Sequence, residues 1–178
     1  GGRFGHLGNT YLRWIWLPIA AFSVEAATPF LAGRLIQAPI SQWLWATVVL
    51  EYGLLFLFCL LNWKRRPIRL IALACFLNFF VIVWYGFRMP VSPVIHSFPE
   101  MAGTAERIQS GELFEYVLAD WGSPFLFLGD ALIIPFVRTG LASMGDILLG
   151  IGVSWLIFQW MRPPRIKKRR ALPREQAL

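Results

Sequence analysis

Charge is what this chain has least of. Only 15% of its 178 residues are Asp, Glu, Lys or Arg, where a water-soluble domain carries roughly 25%. With 57% hydrophobic residues beside so few charges, an ordinary soluble globular protein is excluded. Cysteine is scarce too. Cys59 and Cys75 stand without a Cys-x-x-Cys pair or a Cys/His neighbourhood, which excludes a redox or zinc motif read from spacing. The only histidines, His6 and His96, lie far apart, and no metal or cofactor is expected. Basic residues are not spread along the chain: seven of the seventeen follow Met161. No aromatic residue interleaves with them, so the +7 net charge describes a tail and not a nucleic-acid surface. Such a tail is flexible and drawn to anionic lipid heads.

What the chain has instead is long apolar runs, with nine Trp and fifteen Phe. Four of them approach the length that a bilayer core demands. The first, 12–31, carries Pro18 and Pro29 near its ends, where a helix tolerates them, and Glu25 as its odd polar residue. The second, 43–63, carries Glu51 on a face shared with Leu55, Cys59 and Asn62. The third, 68–87, follows the basic turn Lys64-Arg65-Arg66-Pro67 and holds Asn78 on a face with Cys75 and Tyr85. An amide at that depth joins helices, at about 1 kcal/mol. The fourth, 146–161, is shorter, and Gly150 with Ser154 makes a small pair for close helix packing. The expected fold is therefore all-α, a polytopic helical membrane bundle of about four transmembrane helices. It forms one domain, 1–161, followed by the basic tail 162–178.

The connectors set the orientation. Residues 1–10, with Arg3, His6 and Asn9, read as a loop. The chain opens on Gly1 and not on Met, which implies upstream residues that could hold a further span or a signal segment. Residues 32–42 form a short connector with Gly33, Arg34 and Pro39. The connector 88–144 is long. It opens with Arg88-Met89-Pro90-Val91-Ser92-Pro93, which cannot be helical throughout. Residues 99–111 can hold a short surface helix. Residues 112–121 set Leu113, Phe114, Val117 and Leu118 against Glu112, Glu115 and Asp120, the pattern of an interfacial amphipathic helix. Residues 124–136 are apolar and too short to cross, and read as a re-entrant or interfacial segment. With the 64–69 turn and the tail cytoplasmic, thirteen Lys and Arg fall inside and four, Arg34, Arg88, Arg107 and Arg138, outside. The 88–144 connector is then external.

The most informative stretch holds two Gly-Asp pairs, Gly129-Asp130 and Gly145-Asp146, each opening an apolar segment. An acid there is either a helix N-cap or part of a polar site. By depth, Glu25, Glu51, Asn78, Arg88, Asp130 and Asp146 converge on the outer side, with Arg88 the natural partner for the carboxylates. One reading is an outward-open polar cavity roofed by the connector; the other is an ion-pair network that pins the connector. Three function classes follow. The first is a non-enzymatic accessory subunit of a membrane complex, or a binder of a lipid or small ligand. The second is a transporter or channel component using Glu25 and Glu51. The third is a membrane-embedded aspartyl hydrolase using Asp130 and Asp146, which would have to share a proton. The expected partners are the lipid bilayer, other membrane subunits or a second copy, and no nucleic acid.

The Arg88-Met89-Pro90-Val91-Ser92 segment, the paired Gly-Asp motifs and the Gly-x-Gly helix after the second pair resemble a bacterial family of small multi-spanning membrane proteins, itself a domain of unknown function. The opening Gly1-Gly2-Arg3, with Leu7 and Asn9, resembles it as well. Trp84-Tyr85-Gly86-Phe87 departs from the Asn-Gly-Gly that the family carries there. The resemblance covers most of the chain. It implies a bacterial plasma-membrane location and no particular activity. A weaker likeness is to lipoprotein signal peptidases, four-span aspartyl proteases whose second catalytic Asp opens a final helix, as Asp146 does. Nothing around Asp130 matches their first motif.

Overall fold

The structure, a computed structural model, describes residues 12–31, 43–134 and 140–161. The expectations for the opening loop, the 32–42 connector, Arg138 and the basic tail lie outside these residues. The chain is mostly helical. Its long helices are α1 (Trp16–Leu31), α2 (Leu44–Leu61), α3 (Arg66–Trp84) and, at the far end, α5 (Met144–Met161), with the short α4 (Ala102–Gln109) between them. α2, α3 and α5 are each long and apolar enough to cross a membrane. They bury part of their surface against one another and turn the rest outward. Leu57 and Leu60 on α2, Phe76 on α3 and Phe158 on α5 are all exposed, as lipid-facing side chains would be.

Each boundary has a local cause. Pro67 sits in the first turn of α3, where its missing N–H costs nothing. At the other end Gly86 takes φ +69, a left-handed conformation that only glycine adopts without strain. That turn lets the N–H groups of Gly86 and Phe87 bond back to the carbonyls of Val83 and Ile82, at 3.2 and 2.8 Å, and the helix stops. Phe87 follows with φ 67, which turns the chain sharply into the connector.

The helices pack in a row, α1 on α2, α2 on α3 and α3 on α5. Thr28 and Thr47 hydroxyls, 3.4 Å apart, link α1 to α2. Asn62 ties the chain before α1 to the end of α2: its amide donates to the Arg13 carbonyl at 2.9 Å, and its oxygen accepts from the Arg13 N–H at 3.0 Å. Tyr52, Phe56 and Phe79 form an aromatic cluster in the α2–α3 seam, with ring centroids 5.3 to 6.4 Å apart. α3 and α5 run antiparallel and lie closest. A side chain at Gly145 would strike Asn78 and Ala74, and one at Gly152 would strike Ile71. The expected packing pair, Gly150 and Ser154, is instead exposed, with open space beside Gly150. The seam falls on the face that repeats every seven residues, Gly145 and Gly152, and not on the one chosen from the small-residue spacing.

The connector carries the short helix α4 within the 99–111 stretch expected to hold one, but it also carries two short strand pairs that the all-α reading did not include. β1 (Met89–Val91) pairs in parallel with β2 (Tyr116–Leu118), with Met89 opposite Tyr116 and Val91 opposite Leu118. β3 (Leu132–Ile134) pairs antiparallel with β4 (Gly140–Ala142). The 112–121 stretch is therefore a turn and a strand and not an amphipathic helix. Its backbone groups find partners on β1, as where Met89 N–H donates to the Glu115 carbonyl at 2.8 Å, and that pairing outweighs its helical pattern. Between β1 and β2 a small core of Val91, Ile95, Met101, Ala105 and Ile108 packs α4 onto the strands. The 124–136 stretch contains a 3-10 turn at Leu126–Leu128 and then β3. Its Phe125 ring stands edge-on to Phe80 and Trp84, 5.1 and 4.9 Å away, and holds the turn on the end of α3.

Candidate functional site

One cavity, of about 230 Å³, opens between α1, α2, α3, the start of α5 and the connector. Every wall but α3 contributes an acid: Glu25 from α1, Glu51 from α2, Glu115 from the approach to β2, Asp130 from the bridge to β1, and Asp146 from the first turn of α5. Asn78 of α3 joins them, and no Lys, Arg or His is among the described lining residues.

The two Gly-Asp pairs share a construction. In each, the glycine permits a backbone approach that a side chain would block, and the next residue meets the cavity. Gly129 lies against Pro90, where a Cβ would collide with the Pro90 carbonyl and ring. Asp130 is consequently held by the main chain. Its N–H donates to the Pro90 carbonyl at 2.9 Å and its carbonyl accepts from Ser92 N–H at 3.0 Å, a parallel bridge with Val91. It caps no helix, which corrects that expectation. Its carboxyl has no hydrogen-bond partner among the described residues. Burial, with Asp146 adding to it, pushes that carboxyl up to about 7.

Asp146 is anchored differently. Ser143, fully buried, is the N-cap of α5, and Asp146 is the third residue of the helix. The Ser143 hydroxyl accepts from Asp146 N–H at 3.0 Å, while the Asp146 carboxylate accepts from Ser143 N–H at 2.9 Å. This is a reciprocal capping box, with Asp in the place of Glu. Asn78 closes it: its amide donates to Asp146 at 3.0 Å and its oxygen accepts from the Ser143 hydroxyl at 2.9 Å. Both carboxylate oxygens of Asp146 therefore carry a structural hydrogen bond. A proton-sharing partner for Asp130 would have to break that box.

Glu51 is only 8% exposed. Its carboxyl has no hydrogen bond and no ion pair among the described residues, and its open side is the cavity. Glu25 stands on the neighbouring helix and is exposed. Glu115 is half-buried. Burial first, and Glu25 second, raise its carboxyl above the usual range. Beside it the Tyr116 phenol is pushed up to about 12 by burial first, then by Asp130 and the other carboxyls, so it is a hydrogen-bond donor at neutral pH.

Five of the six residues placed together from the sequence thus line one cavity: Glu25, Glu51, Asn78, Asp130 and Asp146. The sixth, Arg88, does not. It is half-buried, outside the cavity lining, and forms no ion pair with any of the four carboxylates. The turn at Gly86 and Phe87 sends the chain into β1, and the cavity side of that turn presents Phe87 and Met89 instead. Glu115 is the cavity acid that sequence reasoning missed. No alternation in the sequence marked it, since Phe114, Glu115 and Tyr116 all line the cavity.

The profile of a protein family described as "Family of unknown function (DUF5317)" matches residues 9–158. No curated protein and no solved structure matches the chain.

Proposed function

We propose that this chain, which belongs to DUF5317, a family of unknown function, is a non-enzymatic integral membrane protein that holds a small ligand in its acidic cavity. The observation that carries this reading is Glu51. A carboxyl 8% exposed, without a partner among the described residues, costs free energy that a purely structural protein has no reason to spend. It borders a cavity with four further acids and no base among its described lining residues. The engagement of both Asp146 oxygens by Ser143 and Asn78 speaks against an aspartyl dyad. In this reading four helices cross a bacterial plasma membrane, α1 with α2, α3 and α5. The 64–69 turn and the basic tail face the cytoplasm, and the connector roofs the cavity from outside. The chain serves as an accessory subunit, or as a free-standing binder beside anionic lipids.

The same carboxyl favours one alternative, a transporter or channel component in which Glu51 and Glu25 take up and release a proton or cation. Proton flux in proteoliposomes that is lost in Glu51→Gln would select it.

Two experiments test the main reading. Cysteine labelling from outside the cell is expected to succeed at Ser110 and fail at Arg169; the reverse inverts the topology. Fractions of a lipid extract and of a soluble metabolite extract are then screened by thermal shift on the purified full chain. At least one fraction is expected to raise Tm in the wild type and not in Val48→Trp, which fills the cavity from α2. If no fraction does so, or both proteins respond alike, the ligand-binding role is refuted.

A further inference from the structure

We infer that the ligand is a small organic cation, an ammonium or guanidinium carried on an apolar body; this rests on the ligand-binding reading above. The charge of the walls is the first argument. Glu25, Glu51, Glu115 and Asp130 face the cavity, and no basic side chain is among its described lining residues, so the described walls repel an anion. Glu51 is the second and independent argument. It is more than nine-tenths buried, lacks any partner among the described residues, and lines this space. An N–H donor carrying positive charge would satisfy it, by the charge-assisted bond that a buried carboxylate lacks here.

The form of the cation follows from two further observations. Among the described residues no group of three or more His, Cys, Asp or Glu side chains lies close enough to hold a metal ion. The acids stand on separate walls and do not converge at one ion's radius. Between them the walls are aromatic: Phe22, Tyr52, Phe87, Phe114 and Tyr116 all line the cavity. A cation with an apolar body meets both, its charge at the carboxyls and its body and charged head against ring faces. A cavity of about 230 Å³ is below the ~300–1,000 Å³ of sites for drug-sized ligands, which sets the scale of the molecule.

The test is equilibrium dialysis of radiolabelled phenethylamine against the full chain in phospholipid nanodiscs at neutral pH. Phenylethanol serves as the neutral counterpart and phenylacetate as the anionic one. Saturable binding of the amine is expected, with both counterparts at least tenfold weaker. Glu51→Gln and Glu25→Gln are each expected to weaken the amine at least tenfold, and Glu100→Gln, on an exposed turn outside the cavity, to leave it unchanged. Glu25→Gln keeps the test open should Glu51→Gln not fold. Equal binding of alcohol and amine, or an amine affinity unmoved in both Gln variants, overturns the cation assignment. If the alcohol or the acid binds saturably and is lost in Val48→Trp, the ligand-binding role stands and only the cation falls. If no probe binds saturably and the extract screen is also empty, both fall.

Discussion

Replacing Asn78 with Ala removes the side chain that ties α3 to the start of α5. Two groups lose a partner at once: the Asp146 carboxylate loses an amide donor at 3.0 Å and the Ser143 hydroxyl loses an acceptor at 2.9 Å. A hydrogen bond to a charged group contributes about 1.5–3 kcal/mol and a neutral one about 1, for a soluble-protein total of roughly 2.5–4 kcal/mol. Two features lower that figure. Asp146 is exposed enough for water to replace the amide, and interhelical polar contacts in membrane proteins average only about 0.6 kcal/mol. Ser143 works in the other direction, because it is fully buried and no water can reach its hydroxyl. The balance is a loss of about 1.5–2.5 kcal/mol. Reversible unfolding in mixed micelles, followed by helical circular dichroism as SDS is raised, measures it. A cycle of Asn78→Ala, Ser143→Ala and the double variant isolates the coupling. Asn78→Asp sharpens the test. It keeps an acceptor for Ser143 but sets a second carboxylate against Asp146, so it should be worse than Ala near neutral pH and recover in acid. Asn78→Ala within about 0.5 kcal/mol of the wild type, or a cycle with no coupling, would refute the network.

Three further outcomes follow from the geometry. Asp130 is held near 7 in the folded chain against 3.8 as its ordinary value. The folded state therefore binds the extra proton, and stability falls as pH rises from about 4 to 7, by at most about 4 kcal/mol; Asp130→Asn should flatten that slope. Gly152→Leu should cost about 1–3 kcal/mol by overpacking against Ile71, while Gly150→Leu, inside the same helix with open space beside it, should gain about 0.5–1 kcal/mol in the same SDS titration. Gly86→Ala should lose about 1 kcal/mol at its left-handed turn, whereas Gly53→Ala, inside α2 with nothing near it, should gain about 0.5–1 kcal/mol; opposite signs in one unfolding assay are the check.

The helices were legible because hydropathy over eighteen or more residues is a strong signal, and α2, α3 and α5 begin and end within three residues of the spans read from it. The connector was not. Its strands are three residues each, too short to display a period of two, and their stability comes from partners distant in sequence. Glu115 was lost for that reason, having been assigned to the polar side of a helix that does not form. Most of the cavity's acids were legible because a carboxylate inside an apolar run is costly and conspicuous, as Glu25, Glu51, Asp130 and Asp146 were. Their roles were harder to read. Ser143-Met144-Gly145-Asp146 spells a capping box, but the aspartate alone was read as the cap. Arg88 was paired with acids by depth, and depth carries no information about the turn that directs it away.

Asp130 owes its position to two main-chain bonds, to Pro90 and Ser92, and to the missing side chain of Gly129. Main-chain bonds are indifferent to the identity of the side chains around them. Substitutions through this segment can therefore accumulate without displacing the acid, provided position 129 stays glycine. The acid itself is under no such constraint, since its own side chain bonds to none of the described residues. An amide, a longer carboxylate or a hydroxyl at position 130 would occupy the same coordinates and meet the same space. The wall is a socket that accepts interchangeable chemistry, and members of one lineage can diverge in what they hold without changing how they fold.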